Sequence, residues 1–346
     1  MKSISVIIPV YNCRKYLEDC VATVSEAIAK CRTTIGEVIL VDDGSTDGSS
    51  DVCDKLAAAL RFENCVIRPV HQENRGVSAA RNVGQRMATG EFILFVDADD
   101  TVDSQKLADL METIPQDVPI DMIIFGMAFD YYDGDRIYRQ DLMCPVVEGM
   151  KTYDECSAIL SSLFHQNAIS PLWNKLIRRS VIEDAEICLR EDMFLYEDLE
   201  FSLRVLARCD TVFFCKEPIY HYRQSPDEGN AGRRLKRIAH IPEVVGRIET
   251  TLTPFKDATG VLVPLYLILA REKISCATKK EIETVCADFR RWIDEHKLVQ
   301  EIQNSKYAML LYRGRSAELL IKKNKTRVRH QIAVFIKKTI GDFRKW

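Results

Sequence analysis

Two apolar runs of strand length in this chain end directly on clusters of aspartate, and no other feature restricts the fold as strongly. Val38-Ile39-Leu40-Val41 leads into Asp42-Asp43, and Phe92-Ile93-Leu94-Phe95-Val96 leads into Asp97-Ala98-Asp99-Asp100. Four or five apolar residues in a row, without polar alternation, read as a parallel strand covered on both faces. A carboxylate just beyond such a strand lies at the carboxyl edge of the sheet, where open α/β folds bind ligands. Carboxylates this close repel one another unless a cation or a donor-rich ligand lies between them. Asp97 and Asp99 offer hard oxygens, which suit Mg²⁺ or Mn²⁺ rather than zinc. The pattern implies an enzyme that holds a metal-bound phosphate ester.

The neighbouring residues extend this into an alternating fold. Strands are expected over 4–10, 38–41, 66–70, 92–96 and 122–125. Helices are expected over 16–30, from the Gly44-Ser45-Thr46-Asp47-Gly48 turn to Leu60, over 76–88 and over 104–114. Such alternation implies a mostly parallel sheet with right-handed crossovers. Beyond residue 126 the rhythm breaks. A polar hairpin fits 129–147 around Asp133-Gly134, and helices fit 153–164, 172–182 and 197–207. A strand fits 211–215 and resumes over 220–223; from Arg233 onward the pattern is helical. The turn-forming Ser225-Pro226-Asp227-Glu228-Gly229 marks a boundary. A chain of 346 residues has room for one large domain, 1–230, and a helical C-terminal region, 231–346.

Composition narrows the setting. A net charge of −3 argues for neither nucleic acid nor membrane, and the twelve cysteines contain no Cys-x-x-Cys pair. They read as buried thiols of a cytoplasmic protein. The apolar stretch from Ile4 to Val10 is cut off by Arg14-Lys15, too early for an export signal or a membrane span.

Each motif also has a plainer reading. One aspartate of Asp97 to Asp100 could cap the helix beginning near Ser104. Asp42-Asp43-Gly44-Ser45 is either a strand-to-helix turn or a carboxylate that accepts hydrogen bonds from a nucleobase or ribose edge. In Pro9-Val10-Tyr11-Asn12, Tyr11 is either an ordinary tyrosine or an aromatic face for a base. Glu197-Asp198 opens a helix, where acids are favoured for their own sake.

The combination is more specific than its parts. Ser5-Val6-Ile7-Ile8-Pro9-Val10-Tyr11-Asn12, Val41-Asp42-Asp43-Gly44-Ser45-Thr46-Asp47, Asn74-Arg75-Gly76-Val77-Ser78-Ala79-Ala80-Arg81-Asn82-Val83-Gly84 and the run from Gly90 to Asp100 resemble, in order and spacing, the family 2 glycosyltransferases. The resemblance resumes at Trp173-Asn174-Lys175-Leu176, Tyr196-Glu197-Asp198-Leu199-Glu200-Phe201 and His221-Tyr222-Arg223-Gln224-Ser225. It implies a GT-A fold: a Rossmann-like, mostly parallel sheet flanked by helices, here with a helical C-terminal extension. It further implies a nucleotide-sugar donor, usually uridine-linked, bound in about 1–125, and an acceptor bound in about 126–230, with inversion at the anomeric carbon. By this resemblance Pro9, Tyr11, Asn12, Asp42, Asp43, Arg81, Asp97 and Ala98 would line the nucleotide-sugar, Asp97 facing the ribose. Asp99 would hold Mg²⁺ or Mn²⁺ on the diphosphate, with His221 as a further metal ligand. Asp198 would be the base that takes the acceptor's proton. Trp173, Glu197 and Arg223 would lie near the acceptor or the diphosphate.

The expected acceptor is a glycan or lipid-linked glycan of bacterial polysaccharide synthesis, an expectation that rests on family analogy. A sugar-nucleotide pyrophosphorylase would want a Gly-rich basic loop where Pro9-Val10-Tyr11-Asn12 stands, and a dehydrogenase would want Gly-x-Gly-x-x-Gly. A non-catalytic scaffold subunit is disfavoured by the intact Asp97, Asp99 and Asp198.

The last stretch has a character of its own. Nine Lys and Arg residues between Lys322 and Lys345 are opposed only by Asp342, with Ile332, Phe335, Ile336 and Phe343 interleaved. A basic amphipathic helix reads as a membrane-surface element, or as a solvated helix packed on the domain; nucleic acid is not an expected partner. Each such charge near an anionic bilayer is worth about 1 kcal/mol, so the protein is expected to sit peripherally on the inner face of the cell membrane. In liposome flotation the full chain should rise with anionic vesicles in low salt, and a chain ending near residue 320 should not. Equal recovery of both forms discards the idea.

Overall fold

The apolar runs pair with one another because each needs both faces and both edges covered. In the computed structural model, which describes residues 2–114, 118–224, 241–316 and 319, the first half alternates as expected. It runs β1 (Lys2–Val10), α1 (Leu17–Lys30), β2 (Thr34–Asp43), α2 (Ser49–Ala59), β3 (Cys65–Gln72), α3 (Val77–Met87) and β4 (Phe92–Phe95). The short β5 (Thr101–Val102), α4 (Ser104–Thr113) and the long β6 (Met122–Asp133) follow. β6 turns at Gly134, with φ of 62°, into β7 (Arg136–Met143), the polar hairpin the sequence suggested. Then come β8 (Gly149–Thr152), α5 (Tyr153–Ala158), α6 (Leu160–His165), β9 (Lys175–Arg178), α7 (Arg179–Glu183), α8 (Glu197–Leu206) and β10 (Thr211–Gln224).

The sheet order is β3-β2-β1-β4-β9-β6-β10-β5, with β7 added beside β6 and β8 beside β10. β1 pairs parallel with both β2 and β4, and β6 pairs parallel with β10. β9 lies between β4 and β6 and is antiparallel to both. Two reversals restore direction, so β6 and β10 point the same way as β1, β2 and β4. The carboxyl ends of all five therefore share one edge, the edge at which open α/β sheets bind ligands.

Residues 172–182, expected as a helix, instead hold β9 and the short α7. Leu176 and Ile177 are both buried because β9 lies mid-sheet, and a run this short carries no decisive period. The expected helix over 153–164 is broken at Ile159, whose φ of −113° is not helical. The two strand pieces near 211 and 220 are one strand, with its register shifted around Pro218, a residue that has no N–H to give to the ladder.

The contacts divide the described residues into two units. One comprises residues up to 224 together with 247–259; the other comprises 241–246 and the residues from 260 on, so the division falls within α9 (Ile241–Leu252). The second unit is helical: α10 (Thr259–Cys276), α11 (Lys279–Glu295), α12 (Val299–Ile302) and α13 (Lys306–Tyr312). Its core includes Tyr266 packed at 5.1 Å from Phe289 and 4.9 Å from Trp292. The boundary expected at 225–229 and the basic segment 321–346 lie outside the described residues. Among the described residues no helix is long and apolar enough to cross a membrane, and eleven cysteines are free thiols.

Helix α3 packs tightly against the sheet. Ala79, Ala80 and Gly84 face inward, and a Cβ on Gly84 would stand 2.3 Å from Ile7 Cγ2 of β1. Gly84→Ala should therefore cost about 1–3 kcal/mol of stability through overpacking, read as a lower urea midpoint with an unchanged slope. An unchanged midpoint would mean that α3 does not approach β1 so closely.

Candidate active site

β4 stops where its ladder does. Val96 N–H still reaches Ile7 O at 3.0 Å, and then Asp97-Ala98-Asp99-Asp100 closes a turn through Asp100 N–H to Asp97 O at 3.1 Å. Tyr220 of β10 fixes that turn from beneath. Its hydroxyl accepts from Asp97 N–H at 3.1 Å and donates to Asp100 Oδ2 at 2.7 Å. Asp100 Oδ1 takes the Arg223 N–H at 2.7 Å. The cap of α4 is Asp103, which accepts from the N–H groups of Gln105 and Lys106, so the capping role falls to a residue outside the cluster. Burial, then the Asp97 and Asp99 charges, push Asp100 well above the usual carboxylate range. Asp99 reaches solvent at the mouth of this recess; surrounding protein, then the Asp97 charge, raise its pKa.

The side chain that joins the two halves of the site is Arg81 of α3. Its Nη2 donates to Asp97 Oδ1 at 2.7 Å and its Nη1 to Asp198 Oδ1 at 2.8 Å. Arg81 is buried, and its Nε has no hydrogen-bond partner. Burial works against its charge, but Asp198 and Asp97 together outweigh it and raise the guanidinium pKa. Asp198, second residue of α8, is pushed up to about 7 by its withdrawal from water, with Arg81 pulling the other way. Two carboxylates from distant parts of the chain thus meet on one cation.

At the ends of β1 and β2 the expected nucleotide residues are largely committed to the protein. Asn12, at φ 53°, accepts Thr46 N–H on its Oδ1 at 2.8 Å and so ties two edge loops together. Asp42 accepts Ser45 N–H at 3.1 Å and faces His71 Nδ1 at 3.2 Å. Asp43 is 3% exposed; its carboxylate takes Gln72 Nε2 at 2.7 Å and the N–H groups of Arg75 and Gly76 at 2.8 Å each. Tyr11 stands 48% exposed beside them, while Ala98 is buried and Pro9 half-buried.

On β10, His221 Nδ1 lies 2.9 Å from Asp130 Oδ2, a buried carboxylate also held by Gln140 Nε2 at 2.7 Å. Arg223 is clasped between the rings of Tyr132 and Tyr16, 4.0 and 4.7 Å from their centroids, and its Nε donates to Asp99 O at 3.1 Å. Trp173 is buried in the core, stacked at 4.3 Å on Tyr220 and 5.4 Å on Tyr222. Glu197 is half-buried at the start of α8.

The donor set fits a hard divalent cation. Of the three aspartates in the turn, Asp97 is held by Arg81 and Asp100 by Tyr220 and Arg223, which leaves the Asp99 carboxylate facing outward. Among the described residues no three His, Cys, Asp or Glu side chains converge into a ready metal cage. The protein's share is then a carboxylate or two, the usual arrangement for Mg²⁺ on a diphosphate.

Several participants carried no local signal. Asp130 meets His221, and Gln140 meets Asp130, only because β6, β7 and β10 pair. Lys175, wholly buried, sends Nζ to Ala168 O at 2.8 Å, Asn174 Oδ1 at 2.6 Å and Pro171 O. Burial drives its pKa well down, against the nearby Asp198 charge. Nothing in Trp173-Asn174-Lys175-Leu176 by itself announces a buried lysine.

Comparison with known proteins agrees with this geometry. The sequence profile of "Glycosyl transferase family 2" matches residues 5–185, just over half of the chain. The chain is 30% identical over 223 residues to the putative glycosyltransferase EpsH of Bacillus subtilis, covering 64% of this chain and 60% of that protein. It is 26% identical over 222 residues to the poly(ribitol-phosphate) beta-N-acetylglucosaminyltransferase TarS of Staphylococcus aureus, covering 64% of this chain and 35% of TarS. The chain spans 60% and 62% of the lengths of EpsH and its relative EpsJ. In structure it resembles S. aureus TarS 1-349 in complex with UDP-GlcNAc, with a TM-score of 0.57, 20% identity and coverage of 92% of this chain and 88% of that one. It also resembles the mannosyltransferase PcManGT of Pyrobaculum calidifontis in complex with GDP-Man and Mn²⁺, with a TM-score of 0.52, 17% identity and coverage of 99% and 88%. With its motifs, its sheet and its family profile in agreement, this chain belongs to glycosyl transferase family 2 and has the GT-A fold.

Proposed function

We propose that this protein transfers a sugar from a uridine-linked nucleotide-sugar to a hydroxyl of a glycan or lipid-linked glycan, with inversion at the anomeric carbon. The observation that carries the reading is the Arg81 bridge, which brings Asp97 and Asp198 to opposite ends of one guanidinium. UDP-GlcNAc in the TarS complex supports a uridine-linked donor.

In this reading the first 125 residues hold the donor. The exposed Tyr11 stacks on the base, Asp42 and Asp43 hold the loops that border it through their bonds to Ser45, Gln72, Arg75 and Gly76, and Asp97 faces the ribose. Arg223, held flat between two tyrosines, presents its guanidinium to the diphosphate. Asp99, with His221 as a further ligand, would hold Mg²⁺ or Mn²⁺, which would supply Lewis-acid neutralisation of the leaving group's charge. The acceptor hydroxyl enters on the side of residues 126–230. Asp198 takes its proton as the oxygen attacks the anomeric carbon, and the bond to the diphosphate breaks on the opposite face. Asp97 and Asp99 cannot serve as this base because they are committed to the leaving-group side. Screening nucleotide sugars for slow hydrolysis, with Mn²⁺ and then with chelator, tests the reading without an acceptor; a donor panel left intact under both conditions would refute it.

Asp99→Asn should weaken UDP binding and remove its dependence on Mn²⁺ while leaving the unfolding transition unchanged. Equal calorimetric affinity with Mn²⁺ and with chelator, in wild type and variant alike, would show the metal assignment to be wrong.

Asp198 generates a pH dependence. A base raised to about 7 is protonated and inactive below that value, so kcat/KM should fall on the acid side through a limb near there. Asp198→Asn should cost about 10²–10⁴-fold in rate and abolish the limb, with UDP affinity nearly unchanged. Wild-type turnover in Asp198→Asn, with loss instead in Glu197→Gln, would assign the base to the other carboxylate.

A further inference from the structure

Helix α8 is entered from a long irregular stretch: no helix or strand lies between Glu183 and Glu197. Yet Asp198 must be held accurately if it is to act. The residue just before the helix, Tyr196, has φ of 59°, a left-handed conformation that a bulky residue adopts only when its surroundings impose it. Something outside the segment must therefore set its path.

We infer that Asn82 of α3 is a positioning residue for the Asp198 carboxylate, an inference that rests on the reading of Asp198 as the base. Asn82 is 3% exposed and treats Leu189 as a strand neighbour would. Its Nδ2 donates to Leu189 O at 2.9 Å and its Oδ1 accepts Leu189 N–H at 2.8 Å. One turn on, Gln85 Nε2 donates to Ile187 O at 2.7 Å. Ahead of the helix, Arg75 Nη2 reaches Glu191 Oε2 at 2.8 Å. From the other side Glu200 of α8, itself 1% exposed, takes Arg190 Nε at 3.1 Å. Residues 187–191 are thus gripped between α3 and the helix that bears the base.

Adjacency in α3 gives the arrangement its function. Successive helical side chains point about 100° apart. Arg81 reaches Asp198 while Asn82, one residue later, reaches Leu189, so one rigid turn holds both ends of the segment 189–198. That turn is pressed on β1 at Gly84 and cannot drift. Asn82 touches neither of the reacting carboxylates. Its amide fixes the backbone at Leu189, in the segment that leads into the helix from which Asp198 projects, and a displacement of about 1 Å at such a catalytic group costs on the order of 10²-fold in rate.

The test compares full-length wild type, Asn82→Ala and the milder Gln85→Met. Backbone amide hydrogen exchange over 187–198 reads the positioning without reference to activity. Steady-state hydrolysis of a UDP-sugar with Mn²⁺ reads its consequence, and UDP calorimetry reads the donor side. The expected result is faster exchange at Leu189 and through 187–198, with β1 and β4 unchanged. With it, kcat should fall about 10–100-fold, while KM and UDP affinity stay within about threefold. Gln85→Met should show a smaller loss confined to kcat, and it decides the matter if Asn82→Ala does not fold. Unchanged exchange over 187–198 overturns the inference, as does unchanged kcat or a joint fall of kcat and UDP affinity. A wild type that hydrolyses no nucleotide sugar instead refutes the proposed reaction, while the exchange measurement still decides whether Asn82 sets the path of the segment.

Discussion

One guanidinium shared by two carboxylates is the contact on which this site depends. Asp97 and Asp198 come from opposite halves of the first unit, and without a cation between them they would repel at close range. Arg81 removes that repulsion and gives each carboxylate a directed hydrogen bond. Arginine suits the task because its rigid planar fork sets the direction of both bonds at once, whereas the rotatable donors of a lysine would leave the two carboxylates less firmly oriented. Burial makes the contact consequential: removing one member of a buried ion pair typically costs about 3–5 kcal/mol, since the others are left uncompensated. Stability of the site and the placing of the Asp97 and Asp198 carboxylates are therefore the same interaction seen twice.

The second constraint is directional. An antiparallel β9 inserted between two parallel blocks keeps β10 pointing with β4, so Tyr220 and Arg223 arrive beneath the aspartate turn. Tyr220 satisfies the Asp97 amide and the Asp100 carboxylate with one hydroxyl, and Trp173 stacks on its ring. This polar contact lies inside the core, where an unpaired hydroxyl or carboxylate would be costly. With every partner present, it holds the turn rigid and leaves Asp99 as the carboxylate turned outward.

Backbone strain appears at both ends of the same site. Asn12 and Tyr196 adopt left-handed φ values, the first beside the exposed Tyr11, the second just before Glu197-Asp198. Asparagine tolerates that conformation through its short polar side chain, and here Thr46 N–H secures it. A bulky tyrosine adopts such a φ only where its surroundings impose it. Strain of this kind persists where the fold over-determines a position, and such positions cluster where side chains must be aimed.

Much of this could be read from the chain alone. Apolar runs ending on aspartates located the sheet, its edge and Asp97 to Asp100, because burial on both faces of a strand writes a continuous apolar signature. The motifs around Tyr11, Asp43, Arg81 and Asp198 named the family for the same reason: each is local. The sequence misread residues 172–182, where four residues, Lys175 to Arg178, owe their strand to β4 and β6 on either side rather than to any period of their own. Nor could it show that Asp43 is saturated by Gln72, Arg75 and Gly76, that Asp130 stands behind His221, or that Arg81 joins Asp97 to Asp198. Local chemistry determines which residue types stand at the end of which strand. Which carboxylate meets which cation is decided only when segments far apart in the chain, as Arg81 is from Asp198 at 117 positions, are brought together by the fold, because hydrogen bonds and charges act through space and leave no periodic trace along the chain.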